Sequence, residues 1–280
     1  MTVAGGTIAS ATTAIVMAGR REGHVDPLAA AAGLADKCVV PVAGRPMIAH
    51  VLAALGATPE IGRIVVSLND PALLDDIDEA IMLRAQGRLV VSASRTNLVD
   101  SLLATVEEAT FPIFITTADN VLLTPAAASG FFAGAHAAGA DVAVAFARRQ
   151  SVMDAHPNGQ RRFYRFSDDS YSNCNSYWIG DARALAVAEV FRSGGQFAKH
   201  PLRIVQAFGL VNLIRFRYGI GTLDEAFRRF SRRFRLTMRP VILSDGAVAI
   251  DVDNARTLGV AEAILATRNA TASAPSLATA

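Results

Sequence analysis

Five short apolar runs punctuate the first 150 residues, and segments with helical spacing separate most of them. The runs are 13–19, 63–69, 88–93, 112–119 and 141–148. The helical segments are 46–58, 71–85, 97–109 and 124–139. Strand–helix alternation of this kind builds βαβ units. The strands are apolar throughout rather than at every second residue, so both faces of the sheet must be covered. The expectation is an α/β fold of three layers, α/β/α, around a mostly parallel central sheet. After residue 150 the pattern changes. Residues 161–180 read as antiparallel strands with a polar turn, and 181–195 as a helix. A basic, aromatic helical region follows at 200–236, then strands within 239–253 and a closing helix at 254–268.

The chain has 280 residues, 51% hydrophobic and 19% charged, with a formal net charge of +2. The length supports one large core, and the balance gives no broad electrostatic case for nucleic acid. Cys38 and Cys174 make no disulfide framework and have no zinc spacing, so a reducing cytoplasm is the expected compartment. The five histidines (His24, His50, His136, His156, His200) show no metal-binding spacing. Residues 1–14 lack the basic and apolar regions of a signal peptide, and no stretch of about 18 apolar residues is present. Residues 269–280 read as a disordered tail.

In a parallel α/β sheet, ligands sit beyond the carboxyl ends of the strands. The residues just after each strand are therefore the ones to inspect. After the first come Ala18, Gly19, Arg20, Arg21 and Gly23, then Lys37 on the same excursion. A glycine turn with two arginines suits a phosphate, and a plain solvated loop is the alternative. After the second strand come Asn69 and Asp70. After the third, Ser94, Arg95, Asn97 and Ser101 surround a helix start. They suit either the edge of a nucleobase or ordinary helix capping. After the fourth stands Asp119, placed to hold a divalent metal on a phosphate or to cap a turn. Near the end, Asp251 and Asp253 alternate with apolar residues, which would put both on one face of a strand. Asp253 fits the cap of the last helix better, leaving Asp251 the stronger metal candidate.

"VMAG…R…K…VPVAGRPMI" over residues 16–48, "TTAD" ending at Asp119, and "AIDVDN" over 249–254 resemble the MobA-like NTP-transferase superfamily. The resemblance covers most of 13–265. It implies a single GT-A-like domain over 1–268, with a nucleotide-binding half at 13–150 and an acceptor-binding half at 151–268. It also implies an Mg²⁺-dependent nucleotidyltransferase. An NTP, CTP or GTP, gives its NMP to a phosphorylated small-molecule acceptor, a sugar or polyol phosphate, and pyrophosphate leaves. By the same resemblance Gly19, Arg20 and Arg21 hold the triphosphate, and Lys37 bridges the α-phosphate and the acceptor. Asp119 and Asp251 hold the metal, with Asp253 beside them. Ser101 contacts the base and Asn175 the acceptor. The chain departs from the family pattern in having one glycine after the first strand, Asp36 where proline usually precedes the lysine, and an added "PLAAAAGLA". The rival readings are a glycosyltransferase using a nucleotide-sugar donor, and a non-catalytic nucleotide-binding protein of the same fold.

Residues 203–239 carry many arginines among Phe, Leu and Ile. The preferred reading is an amphipathic helix pair. Its apolar residues pack on the sheet, or on a second copy in a homodimer, and its arginines are solvated. The alternative is a surface for an anionic acceptor or a peripheral membrane contact.

Overall fold

The structure, a computed structural model, describes residues 11–20, 25–185 and 209–273. Its centre is an eight-stranded mixed sheet in the order β10-β7-β9-β6-β1-β4-β5, with β8 paired to β9. The strands are β1 (Thr12–Met17), β4 (Ile61–Leu68), β5 (Leu89–Ala93), β6 (Ile113–Thr117), β7 (Val142–Arg148), β8 (Tyr164–Arg165), β9 (Ser170–Ile179) and β10 (Met238–Leu243). A separate two-stranded ribbon joins β2 (Pro41–Val42) to β3 (Arg45–Pro46). The β1–β4, β4–β5, β1–β6 and β7–β10 pairs are parallel. In the large sheet only β9 runs opposite to the rest; β8, antiparallel to β9, keeps the common direction.

Helices cover both faces. They are α1 (Pro27–Ala31), α2 (Met47–Gly56), α3 (Asp78–Ala85), α4 (Leu98–Val106), α5 (Pro125–Ala137), α6 (Arg149–Ala155), α7 (Leu210–Tyr218), α8 (Leu223–Phe234) and α9 (Ala255–Ser273). One face packs Ala14, Val16 and Phe114 against apolar side chains of α2, α3, α5 and α9. The other packs Ile15, Val65 and Ile115 against α4 and α8. Successive β1 residues thus enter opposite layers, as strand geometry requires, and this explains why the run has no polar alternation. β9, from the second half of the chain, lies between β6 and β7 of the first. The two halves therefore share one sheet.

Three sequence expectations need correction. The 71–85 segment is a 3₁₀ turn, Pro71–Leu74, followed by the shorter α3, because Asp70 caps the turn through the Ala72 amide. The 247–253 stretch is no strand. Gly246–Ala249 is a 3₁₀ turn capped by Asp245. Val248, Ile250 and Val252 are fully buried, and the Val252 amide donates to Asp119 O at 3.1 Å. The last helix continues to Ser273, five residues into the expected tail. Most of the expected helix at 181–195 lies outside the described residues; at its start Ala182–Ala184 forms a 3₁₀ turn.

Candidate active site

Strand β1 lies between β4 and β6. The chain leaves it toward β4 and β5, then returns to its other side with β6. This reversal opens a crevice at the carboxyl ends of β1 and β6. Ala18, Gly19 and Arg20 stand at one lip and Asp119 at the other.

The first lip is held by three strand-end loops that meet at Gly19. The Ala18 amide donates to Ser67 O at 2.9 Å, and the Arg20 amide donates to Asn69 Oδ1 at 2.6 Å. The Ser94 amide donates to Leu68 O at 3.0 Å. A Cβ on residue 19 would lie 2.6 Å from Ser94 Cβ and 3.3 Å from Asn69 Oδ1. This close approach, rather than an unusual φ, is why glycine stands there. Gly19→Ala is expected to cost about 1–3 kcal/mol through overpacking and to weaken NTP binding as the 18–20 turn shifts. Thermal unfolding and an NTP titration check it. Wild-type values in both would show that the turn tolerates the methyl.

The Arg20 side chain is half exposed and faces Asp36 at 3.7 Å. Asp36, standing where the resemblance has proline, is buried and supplies that pair. Arg21 lies outside the described residues. Asn97 caps α4 by accepting from the Asp100 amide. Ser101 is buried. Its hydroxyl accepts from the Arg95 amide at 2.7 Å and donates to Asn97 O at 2.9 Å. Both side chains thus shape the 94–98 loop. The Ser94 hydroxyl, beside Gly19, is buried with no hydrogen-bond partner.

The inserted segment is folded from residue 25 onward. Asp26 caps α1, whose Leu28 and Ala29 are buried in the main core. It delivers Lys37 to the start of a 3₁₀ turn, Lys37–Val39, pinned by buried Cys38. Lys37 Nζ donates to Asp119 Oδ2 at 2.6 Å and to Asp253 Oδ1 at 2.8 Å. Thr117 Oγ1 donates to the other Asp119 oxygen at 2.5 Å. Burial alone would lower the Lys37 pKa. The charge and hydrogen bond of Asp119, with those of Asp253, outweigh burial and raise it, so the ammonium is fixed in its charged form.

Asp251 sits beside this pair. Asn175 Nδ2 donates to Asp251 Oδ2 at 2.7 Å, whereas Asp251 Oδ1 is buried without a partner. Burial, then the charges of Asp119 and Asp253, push this carboxyl well above the usual carboxylate range. The Asn175 hydrogen bond and Lys37 oppose the shift. Asn175 reaches Asp251 because its backbone is left-handed, φ 45°, where the β7–β9 register shifts. The cap of α9 falls to Asn254, which accepts from the Thr257 amide at 3.2 Å. This corrects the expectation for Asp253, whose carboxylate is free for Lys37.

One strand-end residue to which the sequence reading gave no role has a clear part in the site. Asn120 is fully buried and donates to Thr116 Oγ1 and to Cys174 O, tying the end of β6 to the β9 bulge beside Asn175. Its signal was position alone: an amide directly after Asp119, with no apolar reason to be buried.

With all three carboxyls ionised, the cluster would carry two negative charges beyond the ammonium, the charge that one divalent cation balances. The orphaned Asp251 oxygen is a vacant donor of the hard type such a cation takes. Among the described residues, no three acidic, imidazole or thiol groups converge as a ready cage.

A glycine turn, a fixed ammonium and a carboxylate cluster at a sheet's switch point define an α/β protein built to handle an anionic ligand at its strand ends. The chain belongs to the MobA-like NTP transferase domain family, whose model matches residues 11–213. It is therefore nucleotidyltransferase-like, with the GT-A-like fold. A hypothetical transferase from Thermus thermophilus is similar over 88% of this chain and 99% of its own, at 23% identity and a TM-score of 0.72. A CMP:2-keto-3-deoxy-manno-octonic acid synthetase, solved with CTP, is similar at 15% identity and a TM-score of 0.52, covering 92% and 99% of the two chains. A 4-diphosphocytidyl-2C-methyl-D-erythritol synthase from Anaerococcus prevotii is similar at 10% identity and a TM-score of 0.54, covering 91% and 98%. No curated protein matches the chain. No helix among the described residues is long and apolar enough to cross a membrane.

Proposed function

We propose that this protein transfers an NMP from an NTP to a phosphorylated small-molecule acceptor, a sugar or polyol phosphate, and releases pyrophosphate. The observation that carries the proposal is the Lys37 ammonium held on Asp119 and Asp253 beside the unpartnered Asp251 oxygen. CTP is preferred to GTP as donor, because one similar structure holds CTP and another is a diphosphocytidyl synthase. Cys38 and Cys174 are free and buried, and a reducing cytoplasm is the compartment this reading expects.

An acceptor phosphate oxygen attacks the α-phosphorus, a new P–O bond forms, and the bond to the β-phosphate oxygen breaks. The protein's work is to place the two phosphates in line and to balance the charge that develops. Lys37 exchanges its carboxylate partners for phosphate oxygens and draws the two anions together. Arg20, held at the mouth by Asp36, takes the departing pyrophosphate end. Asn175 fixes the orientation of Asp251 through its 2.7 Å hydrogen bond. Asp119 and Asp251 would hold Mg²⁺, with Asp253 close by, and the ion would supply charge neutralisation on the phosphates.

Pyrophosphate release tests the reading. The protein is incubated with each of the four NTPs, Mg²⁺ and a panel of sugar and polyol phosphates. Release is expected only when all three components are present, and most strongly with CTP. Consumption of a nucleotide sugar, with no pyrophosphate from any NTP, would assign the chain to glycosyl transfer instead.

A further inference from the structure

The region of α7 and α8 has a second concentration of positive charge, and the catalytic cleft shares none of its residues. A cavity of ≈ 470 Å³ opens between the two helices, lined by Arg215 of α7, Ile220 and Gly221 of the turn, and Glu225, Arg228, Arg229 and Arg232 of α8. The hairpin that makes it is anchored. The Ser167 amide donates to Gly221 O at 3.0 Å, and the Leu223 amide donates to Asp168 Oδ1 at 3.3 Å. Leu223, Ala226 and Phe227 bury the opposite side of α8 in the core. The preferred sequence reading, a helix pair packed on the sheet, therefore holds for α8. It does not explain why the arginines converge.

Like charges at helical i, i+3 and i, i+4 spacing repel, and Arg228, Arg229 and Arg232 have that spacing. Among the described residues, two acids stand near them. Asp224 pairs with Arg228. Glu225 accepts from the Thr222 amide at 3.1 Å in the capping box that starts α8. Four guanidinium groups against two carboxylates leave two positive charges, which match one phosphate monoester dianion. Burial, then the repulsion of Arg215, Arg232 and Arg228, lowers the Arg229 pKa, with Glu225 opposing. The space is also kept open by the backbone. Gly221 has φ 90°, and a Cβ there would lie 2.5 Å from Glu225 Oε2 and 3.5 Å from Arg229 Nη1.

We infer that Arg215, Arg228, Arg229 and Arg232 form a binding site for a phosphate-bearing ligand outside the catalytic cleft. Arginine forks grip phosphate oxygens in pairs, and the cavity has the volume of a small-molecule site. Leu210, Val211 and Ile214 of α7 are exposed nearby, so the phosphate has two sources: a soluble phosphoester or a lipid headgroup. The inference is independent of the proposed transfer reaction.

Arginine footprinting tests it on the full chain. Phenylglyoxal labelling is mapped by mass spectrometry in inorganic phosphate and in chloride of equal ionic strength. A second arm adds phosphatidylcholine vesicles, with or without phosphatidic acid. The expected result is at least threefold slower labelling of Arg229 and Arg232, with exposed Arg161 and Arg162 unchanged. Protection by free phosphate alone assigns a soluble phosphoester. Protection at far lower phosphate by phosphatidic-acid vesicles only assigns a lipid headgroup. The double variant Arg229→Ala/Arg232→Ala should weaken phosphate binding at this site at least tenfold. It should keep NTP turnover and a wild-type or higher melting temperature in chloride, since two repelling charges are gone. Equal labelling of pocket and control arginines in every arm, or unchanged phosphate affinity in the folded double variant, would overturn the site.

Discussion

Lys37→Ala should lower turnover by about 10³-fold or more while the chain still folds. A preorganised cation on a developing phosphate charge is commonly worth that factor. Lys199 is the only other lysine in the chain. The stability effect is smaller. Removing the ammonium leaves Asp119 facing Asp253 and Asp251 without a counter-charge. Asp119 keeps the Thr117 hydrogen bond, and Asp253 is 64% exposed and can turn to water. Solvent screening therefore holds the loss to about 1–2 kcal/mol, a few degrees in melting temperature for a domain of this size. Lys37→Arg should fail nearly as badly, because a planar fork cannot replace a compact ammonium that sits between two carboxylates. Steady-state kinetics with circular dichroism separates the two effects. Near-normal turnover in a folded Lys37→Ala protein would remove the lysine from the mechanism.

Asp251→Asn should do something Lys37→Ala does not: abolish turnover and stabilise the apo protein. The sign follows from the raised carboxyl pKa. A carboxyl with a folded pKa above its unfolded value binds its proton more tightly when folded. Its contribution to stability is fully present below the unfolded value and is lost as the pH rises through the folded one, so the ionised carboxylate is the costly form. Asparagine removes that charge and keeps an oxygen for the Asn175 amide to donate to. A gain on the order of 1–2 kcal/mol is expected without ligand. The ordering should reverse with Mg²⁺ and NTP, because only the wild type has the carboxylate to hold the metal. Melting curves with and without Mg²⁺ and NTP, alongside an activity assay, check both halves. An apo variant less stable than the wild type, or an active one, contradicts the placement of Asp251.

Much of this site was legible because each residue stands at a strand end, and strand ends are visible in the sequence as breaks in apolar runs. Asp119 follows "PIFITT", and the excursion to Lys37 follows "TAIVMAG"; both fell on the crevice once β1 and β6 paired. The last segment was harder. The alternation in "AVAIDVD" suggested a strand, but its amides bond to the end of β6 and to its own turn. The carboxylates still arrive, on a loop whose apolar residues are buried. The Asn175 contact depends on a register shift between β7 and β9, which no local pattern encodes. Nor could the sequence separate Asp253 from Asn254 as the cap of α9. Both residue types cap well, and only the pull of Lys37, distant in sequence, decides between them.

The central claim is that Asp119 and Asp251 form a metal site that Lys37 completes for a nucleotide. Calorimetric titration of the four NTPs onto the wild type and Asp119→Asn, with Mg²⁺ and with EDTA, tests it most directly. The expected result is that Mg²⁺ tightens the binding of at least one NTP, CTP foremost, by tenfold or more in the wild type and by less than twofold in the variant. NTP binding that is equally tight in EDTA, or an Asp119→Asn protein with the full magnesium effect, would contradict it.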